Sequence, residues 1–336
     1  MTKTSSSLEF ERIYTMLSDL TISLPIQLMT RERIKQIEKD AADDTTLAAL
    51  EKELGKNLKA VKGPEDHIQM GQTYEAYAEA VFYSEMKRRG FGLKRTQGTG
   101  DHGAKRPDFT YTFLNGKPLY FEVKALEIVD PITRHPAIAE EGLEKAADLA
   151  ERARKPGVHF SAQELWGHLL TASPNERIDT AISKIKNNVK VGQIRFGPTI
   201  LVVDMGRLSG IAQGTSGLLP VFFHDGPPAE SCVTGELWQI ALGQRGERIF
   251  ALPEFDGASN LSGHQAEPGI LWQFPELVGI MFILNRWSEP TELLTIYNRS
   301  WDKRPLQNPC GLSEHEIEKI LHDVSDALNN ERNETV

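Results

Sequence analysis

The stretch from Arg106 to Lys124 constrains the fold of this chain more than any other part of the sequence. Apolar and polar residues alternate on both sides of Asn115-Gly116, a pattern that predicts two β-strands joined by a tight turn. Side chains two residues apart on a strand lie on the same face of a sheet, so Glu122 and Lys124 share a face. With Asp108 at the start of the other strand, these charges are costly to bury unless a metal ion or another partner compensates them.

The length of the turn decides whether Asp108 lies on the same face as Glu122. A two-residue Asn-Gly loop puts the two carboxylates on opposite faces of the sheet. A three-residue loop, Leu114–Gly116 with its glycine in the left-handed conformation, pairs Phe113 with Lys117 and places Asp108 directly opposite Glu122. A site that uses both carboxylates therefore requires the three-residue loop or a bulge.

The composition is that of an ordinary globular protein. The chain has 336 residues, of which 40% are hydrophobic and 25% charged, which is ample for a buried core. It has no apolar run of about eighteen residues and its N-terminus lacks a signal-peptide core, so we expect no membrane segment and no secretion. Cys232 and Cys310 are far apart in the sequence and do not form a metal-type pair. We expect free thiols and a cytoplasmic location.

The distribution of charge is more informative than its total. The net charge of −9 argues against a protein that is coated with nucleic acid. From Glu85 to Lys124, however, nine basic residues face four acidic ones, so a local positive excess surrounds the hairpin. This excess favours a phosphate-containing ligand, although a solvated basic helix end and loop would give the same pattern.

The rest of the chain predicts helices and buried strands around the hairpin. We expect buried strands at 196–204 and 277–284, and an edge strand at 292–298. A capping box, Ser313 to Glu316, opens a C-terminal helix whose apolar face reaches Leu328. We therefore divide the chain into an N-terminal helical extension at 1–62, a core at 63–310 with a helical insertion at about 127–195, and a C-terminal helix and tail at 311–336.

A helix at 66–89 precedes the hairpin and carries two glutamates, Glu75 and Glu79, on one face. Like charges four residues apart mildly destabilise a helix, and a metal ion or basic partner would remove that cost. The alternative is that both glutamates belong to a solvated stripe with Gln72. The glycine-rich segment Gly98–Lys105 follows; it does not match a phosphate-binding loop, and it is either a flexible lip beside a site or a plain surface loop.

A glutamate-bearing helix is followed by the pair Gly90-Phe91, then by Pro107-Asp108 and finally by Glu122-Val123-Lys124. This order of motifs resembles the PD-(D/E)xK nuclease superfamily. The resemblance covers roughly residues 68–126, with the strand near 199–205 as a continuation. It implies an α/β protein with the restriction-endonuclease-like fold, in which helices flank a mixed central sheet.

The same resemblance implies the chemistry of the site. Asp108, Glu122 and the Val123 carbonyl would bind Mg²⁺ or Mn²⁺, and Glu79 would reach the metal directly or through water. Glu79 matches the family spacing better than Glu75. Lys124 would orient or help deprotonate the attacking water and neutralise charge on the phosphorane. The candidates for contacts with the phosphate backbone are Lys94, Arg95, Lys105 and Lys184.

The function implied is Mg²⁺-dependent endonucleolytic cleavage of DNA, with RNA left open, and a role in prokaryotic restriction or anti-phage defence is what the family suggests. A protein partner could dock on the N-terminal helices or the C-terminal helix; the oligomeric state stays open. One alternative is a nucleic-acid-binding or assembly subunit with the same fold and no cleavage. Another is an unrelated α/β protein in which Asp108 merely begins a strand and Glu122 and Lys124 form an exposed ion-paired stripe.

Overall fold

The computed structural model describes residues 6–17, 29–63, 66–96, 106–126, 147–148, 150–152, 173–206, 235–250, 261–284, 291–298, 301 and 311–329. The chain forms two compact units, each made of two segments. The first consists of Met1–Val81 and Val129–Thr171, and the second of Phe82–Ile128 and Ala172–Val336. The glycine-rich segment 98–105 and most of the predicted insertion lie outside the described residues. The three-part division made from the sequence stays a prediction.

The described part of the first unit is helical, as predicted. Its helices are α1 (Ser6–Leu17), α2 (Arg31–Asp40), α3 (Thr45–Ala60) and the first part of α4 (His67–Arg88). A side chain begins two of them: Thr30 accepts a hydrogen bond from an amide of α2, and Asp44 accepts one from an amide of α3. In α3 the buried residues recur every three or four positions and form one apolar face: Leu47, Leu50, Leu54 and Leu58.

Helix α4 connects the two units, and the division falls between Val81 and Phe82. The helix ends as the sequence predicts, with Lys87 and Arg88 in its last turn and Gly90 behind it at a φ of 86°. The amide of Phe91 donates back to the Met86 carbonyl over 2.9 Å, which satisfies a carbonyl at the helix end.

The strands of the second unit are β1 (Lys94–Arg95), β2 (Phe109–Thr112), β3 (Pro118–Ala125), β4 (Thr199–Asp204), β5 (Arg248–Phe250), β6 (Leu261–His264), β7 (Leu277–Leu284), β8 (Glu292–Tyr297) and β9 (Ala327–Asn329). Seven of them form a mixed sheet with the order β1-β2-β3-β4-β7-β8-β9. Strands β3, β4 and β7 are parallel to one another at its centre, and antiparallel strands flank them on both sides. Two further strands, β5 and β6, form a small separate sheet. The prediction of an α/β protein with helices around a mixed sheet is confirmed.

Helices cover both faces of this sheet within the second unit. On one face, the ring of Phe82 from the end of α4 packs against Phe109 and Phe121, with ring centroids 5.9 and 5.5 Å apart. On the other face, apolar residues of β4, β7 and β8 share a buried cluster with four further helices. These helices are α5 (Pro174–Asn188), α6 (Val191–Ile194), α7 (Glu236–Leu242) and α8 (Ile270–Gln273).

Two predictions for the C-terminal part are wrong. Strand β8 is not an edge strand, because β9 pairs with it in parallel and forms the edge instead. The last helix, α9 (Glu314–Val324), begins with the predicted capping box but ends before Leu328, which lies in β9. The spacing of Leu328 from the apolar residues of α9 suits a continued helix. The backbone of 327–329 instead pairs with β8 and extends the sheet by one strand.

Candidate functional site

The hairpin of β2 and β3 has the register that a shared carboxylate site requires. Gly116 has a φ of 81°, and the Phe113 amide donates to the Lys117 carbonyl over 2.9 Å. The strand register pairs Phe109 with Phe121, and continuing it by one residue sets Asp108 opposite Glu122. The predicted three-residue loop is therefore confirmed.

Asp108 is held in place by the backbone of both neighbouring segments. Its Oδ2 accepts a hydrogen bond from the Val123 amide over 2.8 Å, and its carbonyl accepts one from the Thr96 amide over 2.9 Å. In a continued ladder the Val123 amide would donate to the Pro107 carbonyl; it donates to the Asp108 side chain instead, so regular pairing of β2 with β3 ends at Phe109 and Phe121.

Glu122 lies on the sheet face that α5 and α6 cover, because its partner in β4 is Leu201, a member of the buried cluster on that face. Only 1% of its surface is exposed. Lys124 Nζ donates to Glu122 Oε1. Oε2 has no hydrogen-bond partner among the described residues. A carboxylate oxygen buried in this way is unfavourable unless a cation or another donor reaches it.

The pKa values of the two carboxyl groups report their closeness. Burial and the negative charge of Asp108 together raise the pKa of Glu122 to about 7, against the opposing effect of Lys124. Burial also raises the pKa of Asp108, and the hydrogen bond from the Val123 amide is the largest opposing effect. Because each negative charge makes ionisation of the other carboxyl group less favourable, the two are not easily ionised together. A divalent cation bound between them would remove this repulsion.

Among the described residues, three cations act on this pair of carboxylates. Lys124 and Lys190 influence both of them, and Arg95 influences Asp108. Arg95 was a predicted phosphate contact, whereas Lys190 was not singled out by the sequence analysis. The sequence showed only several lysines near the end of α5. The folded chain reveals that Lys190, which lies just beyond this helix, is the lysine that influences both carboxylates.

The other predicted site residues are not shown to contact the two carboxylates. Lys94 is exposed on β1 and Lys184 is half-buried on α5, while Lys105 lies outside the described residues. Glu75 is exposed, as the solvated-stripe alternative expects, and Glu79 is half-buried. Both glutamates belong to the first unit. Their assignment to the metal site stays a prediction.

The residues around Asp108 fit a small divalent cation. Within the described residues no group of three or more His, Cys, Asp or Glu side chains could hold a metal ion. The site instead offers two carboxylates, one of them with a buried oxygen that no described group bonds. Such a small, all-oxygen donor set suits Mg²⁺, which is usually held by one or two carboxylates and keeps several waters.

Comparison of the chain with protein-family models, with curated proteins and with solved structures gave no significant match. Across the described ranges, each helix is too short or too polar to cross a membrane.

Proposed function

We propose that this protein is a Mg²⁺-dependent nuclease that hydrolyses phosphodiester bonds in DNA and has the restriction-endonuclease-like fold. The observation that supports this function best is the arrangement of the hairpin. Asp108 stands opposite Glu122, Lys124 is bonded to Glu122 on the same face, and one buried oxygen of Glu122 lacks a partner among the described side chains and amides. A simple surface ion pair would leave Glu122 in water rather than 1% exposed.

The metal would be held by Asp108, Glu122 and the Val123 carbonyl. A bound Mg²⁺ or Mn²⁺ supplies Lewis-acid polarisation of the scissile phosphate. The protein's contribution is rigidity: the Val123 amide fixes the orientation of Asp108, and the strand register fixes Glu122 opposite to it. Side chains held by such bonds do not need to reorganise when the substrate binds.

Lys124 links the carboxylates to the solvent side of the site. Its ammonium group is bonded to Glu122, and its side chain is 17% exposed, so it can contact a phosphate oxygen or a water as well. In the proposed reaction it orients the attacking water and stabilises the negative charge that develops on the phosphorane. Lys190 and Arg95 supply further positive charge to the same place and would attract the phosphate backbone.

The function is tested by incubating the purified protein with plasmid, linear duplex, single-stranded DNA and RNA in Mg²⁺, Mn²⁺ or chelator. The variants are Asp108→Asn, Glu122→Gln and Lys124→Met. The control is Lys117→Met, a lysine of the same hairpin that pairs with Glu316 instead of the carboxylates. We expect cleavage that requires the metal, a loss of about 100-fold or more in the three variants, and normal activity in the control.

Metal-independent cleavage, or equal activity in the three variants and the control, would overturn the proposal. Binding that depends on salt but never leads to cleavage would favour the alternative, a nucleic-acid-binding subunit. Urea denaturation of each variant shows whether a lost activity reflects a lost fold.

A further inference from the structure

A cluster of aromatic and polar side chains lies beside the carboxylates. The ring of Phe196 meets the ring of Tyr120 edge to face, with centroids 5.1 Å apart, and the guanidinium carbon of Arg106 lies 5.3 Å from the centroid of the Phe196 ring. Arg106 stands two residues before Asp108 and Tyr120 two residues before Glu122. Because of this spacing, Tyr120 lies on the same sheet face as Glu122.

Phe196 contacts two neighbouring side chains and yet remains accessible. Its surface is 39% exposed although it contacts both Tyr120 and Arg106. The next residue is Gly197, where a Cβ atom would come within 2.6 Å of the Tyr120 ring. The backbone after Phe196 therefore packs closely against the Tyr120 ring, and the exposed part of Phe196 is an aromatic surface beside that contact.

Gln193 provides a second observation that points to a ligand. The residue is 7% exposed, and its Nε2 donates to the Arg106 carbonyl over 3.1 Å. This bond determines the orientation of the amide, because the flipped amide would set an oxygen against a carbonyl. Oε1 then has no hydrogen-bond partner in the part of the chain that the structure describes. A buried acceptor without a donor is unfavourable unless a ligand supplies one.

We infer that Arg106, Tyr120, Gln193 and Phe196 form a binding site for one unpaired nucleobase next to the scissile phosphate. This inference rests on the proposed nuclease function and narrows its substrate class to strands with an unpaired segment. A base within a duplex has both faces covered by its neighbours, so only an unstacked base can stack on Phe196 or on the Arg106 guanidinium. Oε1 of Gln193 can accept a hydrogen bond from an exocyclic amino group or a ring N–H of that base.

The base site is tested by measuring the affinity of the protein for short oligonucleotides in chelator, where the proposed cleavage does not occur. Phe196→Leu removes the ring but keeps an apolar side chain, and Phe196→Tyr keeps the ring. We expect Phe196→Leu to weaken binding of single strands about tenfold or more, with little change for a blunt duplex, and Phe196→Tyr to bind normally. Trp272→Leu is the matched control, since Trp272 is a similarly exposed aromatic residue (44%) and lies on α8.

An abasic nucleotide locates the base on the strand. When one abasic position is moved along the oligonucleotide, the wild type should lose affinity at one register, and Phe196→Leu should be insensitive to that register. Single-stranded DNA and RNA of the same sequence show which sugar the site accepts.

Equal weakening of single-stranded and duplex binding by Phe196→Leu, or no weakening at all, would overturn the base site. So would an abasic scan without a preferred register. The two proposals fail separately: a wild type that never cleaves but shows ring-dependent binding of single strands keeps the base site and loses the nuclease. Metal-dependent cleavage together with single-strand binding that Phe196→Leu leaves unchanged would keep the nuclease and lose the base site.

Discussion

Replacing Glu122 with glutamine should make the metal-free protein more stable at neutral and alkaline pH. Glutamine has nearly the same shape as protonated glutamate, and its carbonyl oxygen can still accept the hydrogen bond from Lys124. It carries no charge, so it avoids the cost of ionising a side chain that is 1% exposed and close to Asp108.

The direction of this change in stability follows from the pKa of Glu122, which rises from 4.5 to about 7 in the folded protein. A carboxyl group with a raised pKa binds its proton more tightly in the folded state. Its contribution to stability is therefore fully present below about pH 4.5 and is lost as the pH rises to about 7. At 1.36 kcal/mol per pH unit, ionisation of Glu122 destabilises the fold by under about 1 kcal/mol at about pH 5 and by about 3 kcal/mol at about pH 8.

The assay is urea denaturation of the wild type and Glu122→Gln in chelator at both pH values. We expect the variant to be about 3 kcal/mol more stable than the wild type at about pH 8 and close to it at about pH 5. Glu53→Gln is the control, because Glu53 is exposed on α3 and stays in water in both states. Added Mg²⁺ should stabilise the wild type at about pH 8 far more than the variant, since it binds only the folded site.

A wild type that is as stable as the variant at about pH 8, or a pH dependence that glutamine leaves unchanged, would refute this reasoning. It would mean that the Glu122 carboxylate is already compensated in the folded protein without a metal. Mg²⁺ that stabilises both proteins equally would remove Glu122 from the set of metal ligands.

Three further substitutions test the framework of the site, each by urea denaturation. Gly116→Ala should cost about 1–2 kcal/mol from its φ of 81° alone, because nothing lies within 4 Å of the new Cβ; an unchanged stability would contradict the left-handed turn. Phe82→Ala removes a buried ring between Phe109 and Phe121 and should cost about 3–5 kcal/mol; a loss under about 1 kcal/mol would contradict that packing. Ser313→Ala breaks the capping box of α9 and should cost about 1 kcal/mol, most of which Ser313→Thr should restore.

The sequence predicted the hairpin well because the information that determines it is local. Alternation on both sides of Asn115 defines the strands, and Gly116 can adopt the positive φ that the three-residue loop needs. The requirement that Asp108 and Glu122 share a face then selected one register from two. The capping box at Ser313 was predictable for the same reason, since its four residues contain all the donors and acceptors involved.

Features that depend on distant parts of the chain were missed. Three residues at 327–329 become a strand only because β8 offers free backbone groups beside them. Gln193 bonds the Arg106 carbonyl and Lys190 influences both carboxylates because α5 and α6 cover the face of the sheet on which Glu122 lies, and the parallel pairing of β3 with β4 decides that face. The lysines along and just beyond α5 give no sign of which one will act on a carboxylate.

The placement of β4 far along the chain from β3 has a kinetic consequence. Strands β2 and β3 close a three-residue turn and can pair within microseconds, whereas β3 and β4 must first close the long segment between Ala125 and Thr199. In the early hairpin Glu122 still faces water, and it loses that hydration only when β4 and α5 arrive. The slow step of folding therefore includes dehydration of the Glu122 carboxylate. Weak acid protonates Glu122 and should speed refolding, whereas the proposed chemistry requires the ionised form.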